Sequence, residues 1–262
     1  SGQRAAPGAI ERVRIDRETL APRYRIIGVE LWSDEDGFAE AAAKTGITGI
    51  CGSGIIEAIG ELFLAGVIDT NGVIRNPTES SRVVVDERTM AYRLVDGDSP
   101  IMITQNDVRA VQLAKAALYA GVRLLMDRLE VDRVDEIRLA GAFGSHIDTL
   151  YATVIGLIPD CDQERVSAAG NAAGTGAIMA LLSADARREI EGVARRIEKI
   201  ETAVEPAFQE LFVGAMAFPH AVDSFPELSK LVDVPEPAAA SAGEGRGRRR
   251  RRSQRLTSEE TQ

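Results

Sequence analysis

The chain has 262 residues, 45% of them hydrophobic and 27% charged, enough for one large domain or two small ones with a sizeable core. Its net charge is −9, yet the segment from Pro235 onward holds seven Arg against four Glu, so the body before it is more acidic still; that argues against a nucleic-acid enzyme. Two cysteines without CxxC spacing exclude a disulfide framework and an iron–sulfur ligand set, and no apolar run reaches the ~18–20 residues of a membrane span.

Tyr24 to Trp32 reads as a strand, and the Ala-rich run after it as a short helix reaching Lys44 and ending at Gly46. From Gly52 to Ala65 a helical period puts Ile55, Ile56, Ile59, Leu62 and Phe63 on one buried side, leaves Glu57 and Glu61 off it, and ends at Gly66. Arg82–Val85, Met90–Val95 and Ile101–Thr104 are strand candidates of a mixed sheet. The longest helix follows, capped by Thr104 or Asn106, with Asp107 a partner of its N-terminal dipole. Val108, Val111, Leu113, Ala114, Leu118, Val122, Leu125 and Leu129 form its expected core side. A strand at Ile137 and helices near Asp148–Ile155, Asn171–Leu182, Ala184–Ile200 and Pro206–Ala217 complete an α/β pattern without an internal repeat. Residues 1–230 form the folded domain; 231–262, low in complexity and rich in Arg, form an expected disordered tail, either an incidental extension or an attractor of RNA, anionic lipid or an acidic partner.

Three glycine-bearing segments carry the candidate chemistry. IRLAGAFGSHID, Ile137 to Asp148, runs a short apolar strand into a turn where Gly141 and Gly144 let a ligand approach the main chain. AGNAAGTGAIMALL, Ala169 to Leu182, is a second Gly-rich turn opening a small-residue helix. Neither is a Walker loop or a GxGxxG fingerprint. CGSGIIE puts Gly52, Ser53 and Gly54 at a helix start, where free N–H groups and the helix dipole favour an anion; the alternative is close helix packing. Cys51 reads as a small buried side chain, and His146 and His220 as isolated structural histidines. No metal-ligand spacing, nucleophile elbow or carboxylate dyad stands out, so no catalytic or metal-binding residue is assigned.

Three segments together resemble the C-terminal domain of the reductive activators of corrinoid proteins, members of the acetate kinase, sugar kinase, heat-shock chaperone and actin (ASKHA) superfamily. They are ITGICGSGIIEAIGELFLAGVID (Ile47–Asp69), ITQNDVRAVQLAKAALYAGVRLL (Ile103–Leu125) and LAGAFGSHID. GNAAGTGA and FQELFVGAMAFPH extend the similarity over most of the chain from Arg4 to about Leu228. The resemblance implies an ASKHA, ribonuclease H-like nucleotide-binding fold. It also implies an activator that uses ATP with Mg to drive reduction of a Co(II) corrinoid protein to the Co(I) methyl acceptor of a methyltransferase system.

Such activators carry an N-terminal ferredoxin domain with an iron–sulfur cluster, and phosphate-gripping DIGTT-like turns. Neither is present, so the chain reads as the last part of a longer cytoplasmic protein that alone binds nucleotide weakly and hydrolyses little. On this resemblance Gly141, Ala142, Phe143 and Gly144 form the adenosine turn and Ser145 caps the next helix, Phe143 packing on the base or filling the core. Gly52, Ser53 and Gly54 flank phosphate or ribose. Lys115 is a candidate for lining the base or ribose, against the reading of an ordinary surface lysine. A corrinoid protein is the implied partner, and the resemblance allows a homodimer. Two other functions fit the pattern: a small-molecule kinase of the superfamily, and a non-catalytic partner-docking module.

Overall fold

Strand β1, Ala9–Ile15, alternates apolar and charged positions, and Ile10, Val13 and Ile15 point into the core. In the computed structural model, which describes residues 2–236 apart from 142, 143, 145 and 203, β1 is the central strand of the first sheet. It pairs antiparallel with β2, Pro22–Ile26, and parallel with the two-residue β3, Gly49–Ile50. The strand expected over Tyr24 to Trp32 is shorter than its composition implies. The chain turns back so that Ser33 N–H donates to the Tyr24 carbonyl at 2.8 Å, and Ser33 Oγ accepts Tyr24 N–H at 3.0 Å. The helix after it shrinks to α1, Phe38–Ala42.

Helix α2, Gly52–Leu64, lies on β1. A Cβ at Gly54 would sit inside contact distance of the Ile10 carbonyl oxygen and 2.9 Å from the Ile50 side chain, so only glycine lets the helix come this close. The expectation that Glu57 and Glu61 lie off the buried side is overturned, since they are 0% and 7% exposed. Beyond β3, the N–H groups of Val13 and Ile15 have no strand to pair with, and they donate to Glu57 Oε2 at 3.0 Å and Glu61 Oε2 at 3.1 Å. Residues four apart on a helix rise by about 6 Å and residues two apart on a strand by about 6.7 Å. The two carboxylates therefore fall in register with the two amides and stand in for a missing strand.

The three strand candidates are present as β4 (Val83–Asp86), β5 (Thr89–Val95) and β6 (Ile101–Thr104), but in an antiparallel meander of their own and not in the mixed sheet expected. The meander contributes Tyr92, Leu94, Ile101 and Ile103 to the core. Strand β6 runs directly into α3, Gln105–Arg128. Thr104, not Asn106, caps it: Thr104 Oγ1 accepts Asp107 N–H at 3.2 Å and Asp107 Oδ2 accepts Thr104 N–H at 2.8 Å. The expected core side of α3 is largely overturned: of its eight residues only Val108 is buried, Val111 and Val122 are half-buried, and Ala114 is exposed with four leucines. Val108, Ala116, Tyr119, Ala120 and Leu124 are buried with Gln112 and Lys115, whereas Leu113, Leu118, Leu125 and Leu129 are exposed. The face was chosen by polar docking of a later segment onto Gln112, Lys115 and Tyr119, which apolar periodicity does not register.

Strands β7 (Ile137–Ala140) and β8 (Val166–Gly170) form a parallel pair. Between them in sequence lies α4, Thr149–Val154, capped by Asp148, and after them α5 (Ala172–Leu182), α6 (Ala184–Ala194) and α7 (Phe208–Gly214). Helices α6 and α7 are shorter than expected; helix α7 packs along α3. Helices and strands thus alternate as the α/β reading requires.

Candidate functional site

The parallel pairing of β7 with β8 brings the two Gly-rich turns together at the carboxyl ends of neighbouring strands, the usual location of ligand sites in α/β sheets. Gly141, at φ +102°, leaves β7 and donates its N–H to the carbonyl of Gly170, at φ +62°, 2.8 Å away at the end of β8. Among the described residues, a Cβ built at Gly170 or Gly176 would meet nothing within 4 Å, so open space borders the backbone at both. Gly144 is packed instead, its missing Cβ lying 2.9 Å from the Leu139 carbonyl oxygen. Asn171 Oδ1 caps α5 by accepting Gly174 N–H at 3.0 Å. Ala142, Phe143 and Ser145 lie outside the described residues.

The start of α2 is a separate place. Gly52 is half-buried and lines a groove of about 580 Å³ with Ile50, Cys51, Ile55, Met102 and the α3 residues Asp107 and Val111. Ser53 is buried with its hydroxyl 3.3 Å from the Cys51 thiol. Gly54 serves the close packing on β1 described above. Of the three, Gly52 is the one that faces the groove.

Lys115 is 0% exposed, which removes the surface-lysine reading. Its ammonium donates to the carbonyl of Ala217 and to that of Pro219 at 2.7 Å, and sits 5.2 Å from the Phe218 ring centre. With carbonyls but no carboxylate beside it, burial pulls its pKa down to about 7. The same face of α3 holds the rest of that segment. Gln112 donates to the Met216 carbonyl at 2.6 Å, and Tyr119 donates to Asp223 at 2.8 Å and stacks on His220 at 4.8 Å. His220 Nδ1 accepts the N–H groups of Val222 and Asp223, and burial lowers its pKa, so the ring is a neutral structural histidine. Lys115 is thus a clasp for residues 216–223.

A charged cluster that sequence reasoning missed links α2 to the turn after β7. Arg12 Nη1 donates to Glu57 Oε1 at 2.5 Å, and Arg14 Nη1 to Glu57 Oε2 at 2.6 Å. Burial alone would lower both arginine pKa values, but Glu57 with Asp148 and Glu11 outweighs it for Arg12, and Tyr151, Glu57 and Glu61 outweigh it for Arg14, so both are raised. Tyr151 of α4 donates to Glu61 beneath the Arg14 guanidinium, 4.9 Å from the ring centre. Burial first, and then Glu61, pushes the Tyr151 phenol up. The signal available in sequence was two glutamates four apart in an otherwise apolar helix, with two arginines two apart in a short strand.

A family model described as the C-terminal domain of RACo, the ASKHA domain, matches residues 1–229. The chain belongs to the RACo C-terminal ASKHA-domain family. It is 38% identical over 226 residues to the corrinoid activation enzyme RamQ of Eubacterium limosum, covering 81% of this chain and 35% of that protein. It also matches the solved structure of a reductive activator for corrinoid, iron–sulfur protein, with TM-score 0.69 and 34% identity over 83% of this chain and 33% of that one. The chain therefore spans about a third of the length of these relatives. The ASKHA fold expected from its three segments is the fold it has. Among the described residues, no helix is long and apolar enough to cross a membrane.

Proposed function

We propose that this chain is the nucleotide-binding part of an ATP-dependent reductive activator that returns a corrinoid protein from Co(II) to Co(I) in a methyltransferase system. The observation that carries the reading is the joining of two glycine turns at the carboxyl ends of β7 and β8, in a chain of the RACo C-terminal family. Related proteins named for corrinoid activation support the partner.

In this proposal Gly141, Ala142, Phe143, Gly144 and Ser145 receive the adenosine, and the open backbone at Gly170 and Gly176 admits the nucleotide's edge; the cap of the next helix, expected at Ser145, is Asp148 instead. Gly52, with Ser53 and Gly54 shaping the turn behind it, offers helix N–H groups to ribose or phosphate. Lys115 is left out of the contact set because its ammonium is buried and bound. ATP brings Mg with it and supplies the energy for conformational gating of the electron. The residues present suit the nucleoside better than the phosphates, since no phosphate-gripping loop is in the sequence. Cys51 and Cys161 are buried free thiols, and in this reading the electron comes from an iron–sulfur centre carried by another domain. The free thiols also accord with a cytoplasmic setting.

A partner-docking role is favoured by one observation, the exposure of Ile178, Met179, Leu181 and Leu182 on α5. The deciding experiment is anaerobic reduction of a Co(II) corrinoid protein by the full-length activator, followed by absorbance with and without ATP. ATP-dependent formation of Co(I) supports the activator. ATP binding without cobalt reduction transfers the reading to a kinase or a docking module.

A further inference from the structure

His220 is held in a form that leaves no place for a second proton. Its Nδ1 accepts the N–H groups of Val222 at 3.1 Å and Asp223 at 2.8 Å, closing the turn that follows it. A ring nitrogen that accepts carries no hydrogen, so the proton of the neutral ring sits on Nε2. Nε2 is shielded from solvent and has no hydrogen-bond partner among the described residues. The side chain is 4% exposed and is wedged between the Tyr119 ring of α3, 4.8 Å away, and Gly214 of α7, where a Cβ would meet its Cε1 at 3.3 Å. The ring cannot swing without moving one of the two helices.

The charges around it come from several elements. Helix α3 brings Lys115 and Arg123, which oppose a charge on the ring, and the Tyr119 phenol, pushed up by burial and then by its bond to Asp223. The turn itself brings Asp223, whose Oδ1 lies 3.9 Å from Nδ1 while its Oδ2 accepts from Tyr119 at 2.8 Å. Asp160 acts on Tyr119 from the α4–β8 loop, and Glu236 lines a cavity of about 360 Å³ together with His220 and Asp223. A solvent proton arriving on Nδ1 turns the acceptor of two amides into a donor facing two donors. The charged ring can pair with Asp223 Oδ1 only by giving up both amides, which are left without an acceptor.

We propose that residues 216–223 form a proton-operated latch: the neutral ring of His220 keeps the segment closed on α3, and protonation of Nδ1 opens the turn and loosens the segment's hold on Gln112, Lys115 and Tyr119. Burial, more than the neighbouring charges, sets the sense of the coupling. It lowers the His220 pKa below the ordinary 6.5, so the closed form binds the proton less readily than the open one. The stability of the closed latch is present in full above about pH 6.5 and is lost as pH falls through the lowered value. Lys115 takes up its own proton near pH 7, so the ring titrates against a cation already in place. The latch does not depend on what the glycine turns bind.

The chain has two histidines, His146 and His220, so both imidazole Cε1–H signals can be followed by NMR in the whole chain, with His220→Asn assigning one of them. Amide exchange across the latch is measured from about pH 7.5 to about pH 5, with the intrinsic pH dependence divided out. In the wild type, protection at Val222 and Asp223 should fall about tenfold along the titration curve of the His220 signal, while helix α2 keeps its protection. Asparagine offers an acceptor Oδ1 in place of Nδ1 and does not titrate, so in His220→Asn the loss should disappear. Lys115→Met should retain it, because the ring and not the lysine is the sensor. Constant protection in the wild type while the His220 signal titrates overturns the latch. So does a loss that α2 shares, that persists in His220→Asn, or that is absent from Lys115→Met. If His220→Asn does not fold, the coincidence or divergence of the two wild-type curves decides alone.

Discussion

Glu57 is a fully buried anion that two arginines and one amide make tolerable. Removing one member of such a set leaves the others desolvated and unpaired, which costs more than the set contributes when intact. Glu57→Leu should destabilise the fold by about 3 kcal/mol, the arginines being partly exposed, as read from the urea midpoint. A loss below about 1 kcal/mol would mean that Arg12 and Arg14 turn out to water at little cost. Lys115 is the opposite case, a buried amine held by carbonyls, with no anion beside it among the described residues. Its folded pKa of about 7 lies below the ordinary lysine value of about 10.4, so the unfolded chain binds the extra proton between them. The contribution to stability is present in full above about pH 10.4 and is lost as pH falls toward 7. Wild type should gain on Lys115→Met between pH 7 and 10, by an amount on the order of 4 kcal/mol at most. Parallel stability–pH curves for the two proteins would show that Lys115 does not titrate in that window.

Two glycines in helices illustrate how the elements are placed. Alanine is favoured over glycine inside a helix by about 1 kcal/mol, and at Gly121 of α3 a Cβ meets nothing within 4 Å. Gly121→Ala should therefore raise thermal stability by about 0.5–1 kcal/mol. Gly54→Ala gains the same propensity, but its Cβ enters the Ile10 carbonyl, and the helix must lift off β1. The net effect should be a loss of about 1–3 kcal/mol, and equal shifts for the two variants would refute the close packing of α2 on β1. The contrast also explains which elements were legible. Helix α2, the meander, the Thr104 start of α3 and the turn at Gly141 carry local signals, namely apolar period, alternation, capping box and glycine spacing. Strand β1 was missed because its charged residues answer to Glu57 and Glu61, 43 to 46 residues away. The buried face of α3 was misjudged because Gln112, Lys115 and Tyr119 find their partners about 104 residues later, at Met216, Pro219 and Asp223. Family resemblance identified the domain; long-range polar pairing, invisible to periodicity, decided how its pieces lie.

At the scale of the molecule, apolar surface is distributed unevenly. Helix α5 is AAGTGAIMALL, apolar on every side, and none of its residues is buried among the described residues. Such a helix is ordinarily found in an interior. Leu181 and Leu182 are 76% and 78% exposed, so within this chain they contribute little to folding. Replacing both with Glu should leave the urea midpoint within about 0.5 kcal/mol of wild type, as expected of surface positions. It should also lower the binding of an apolar dye and slow aggregation, because the patch they anchor is lost. A large destabilisation would mean instead that the two leucines are buried in solution, either by this chain or by a second copy. Concentration dependence of the midpoint separates these cases, since burial between copies strengthens with concentration and burial within one chain does not.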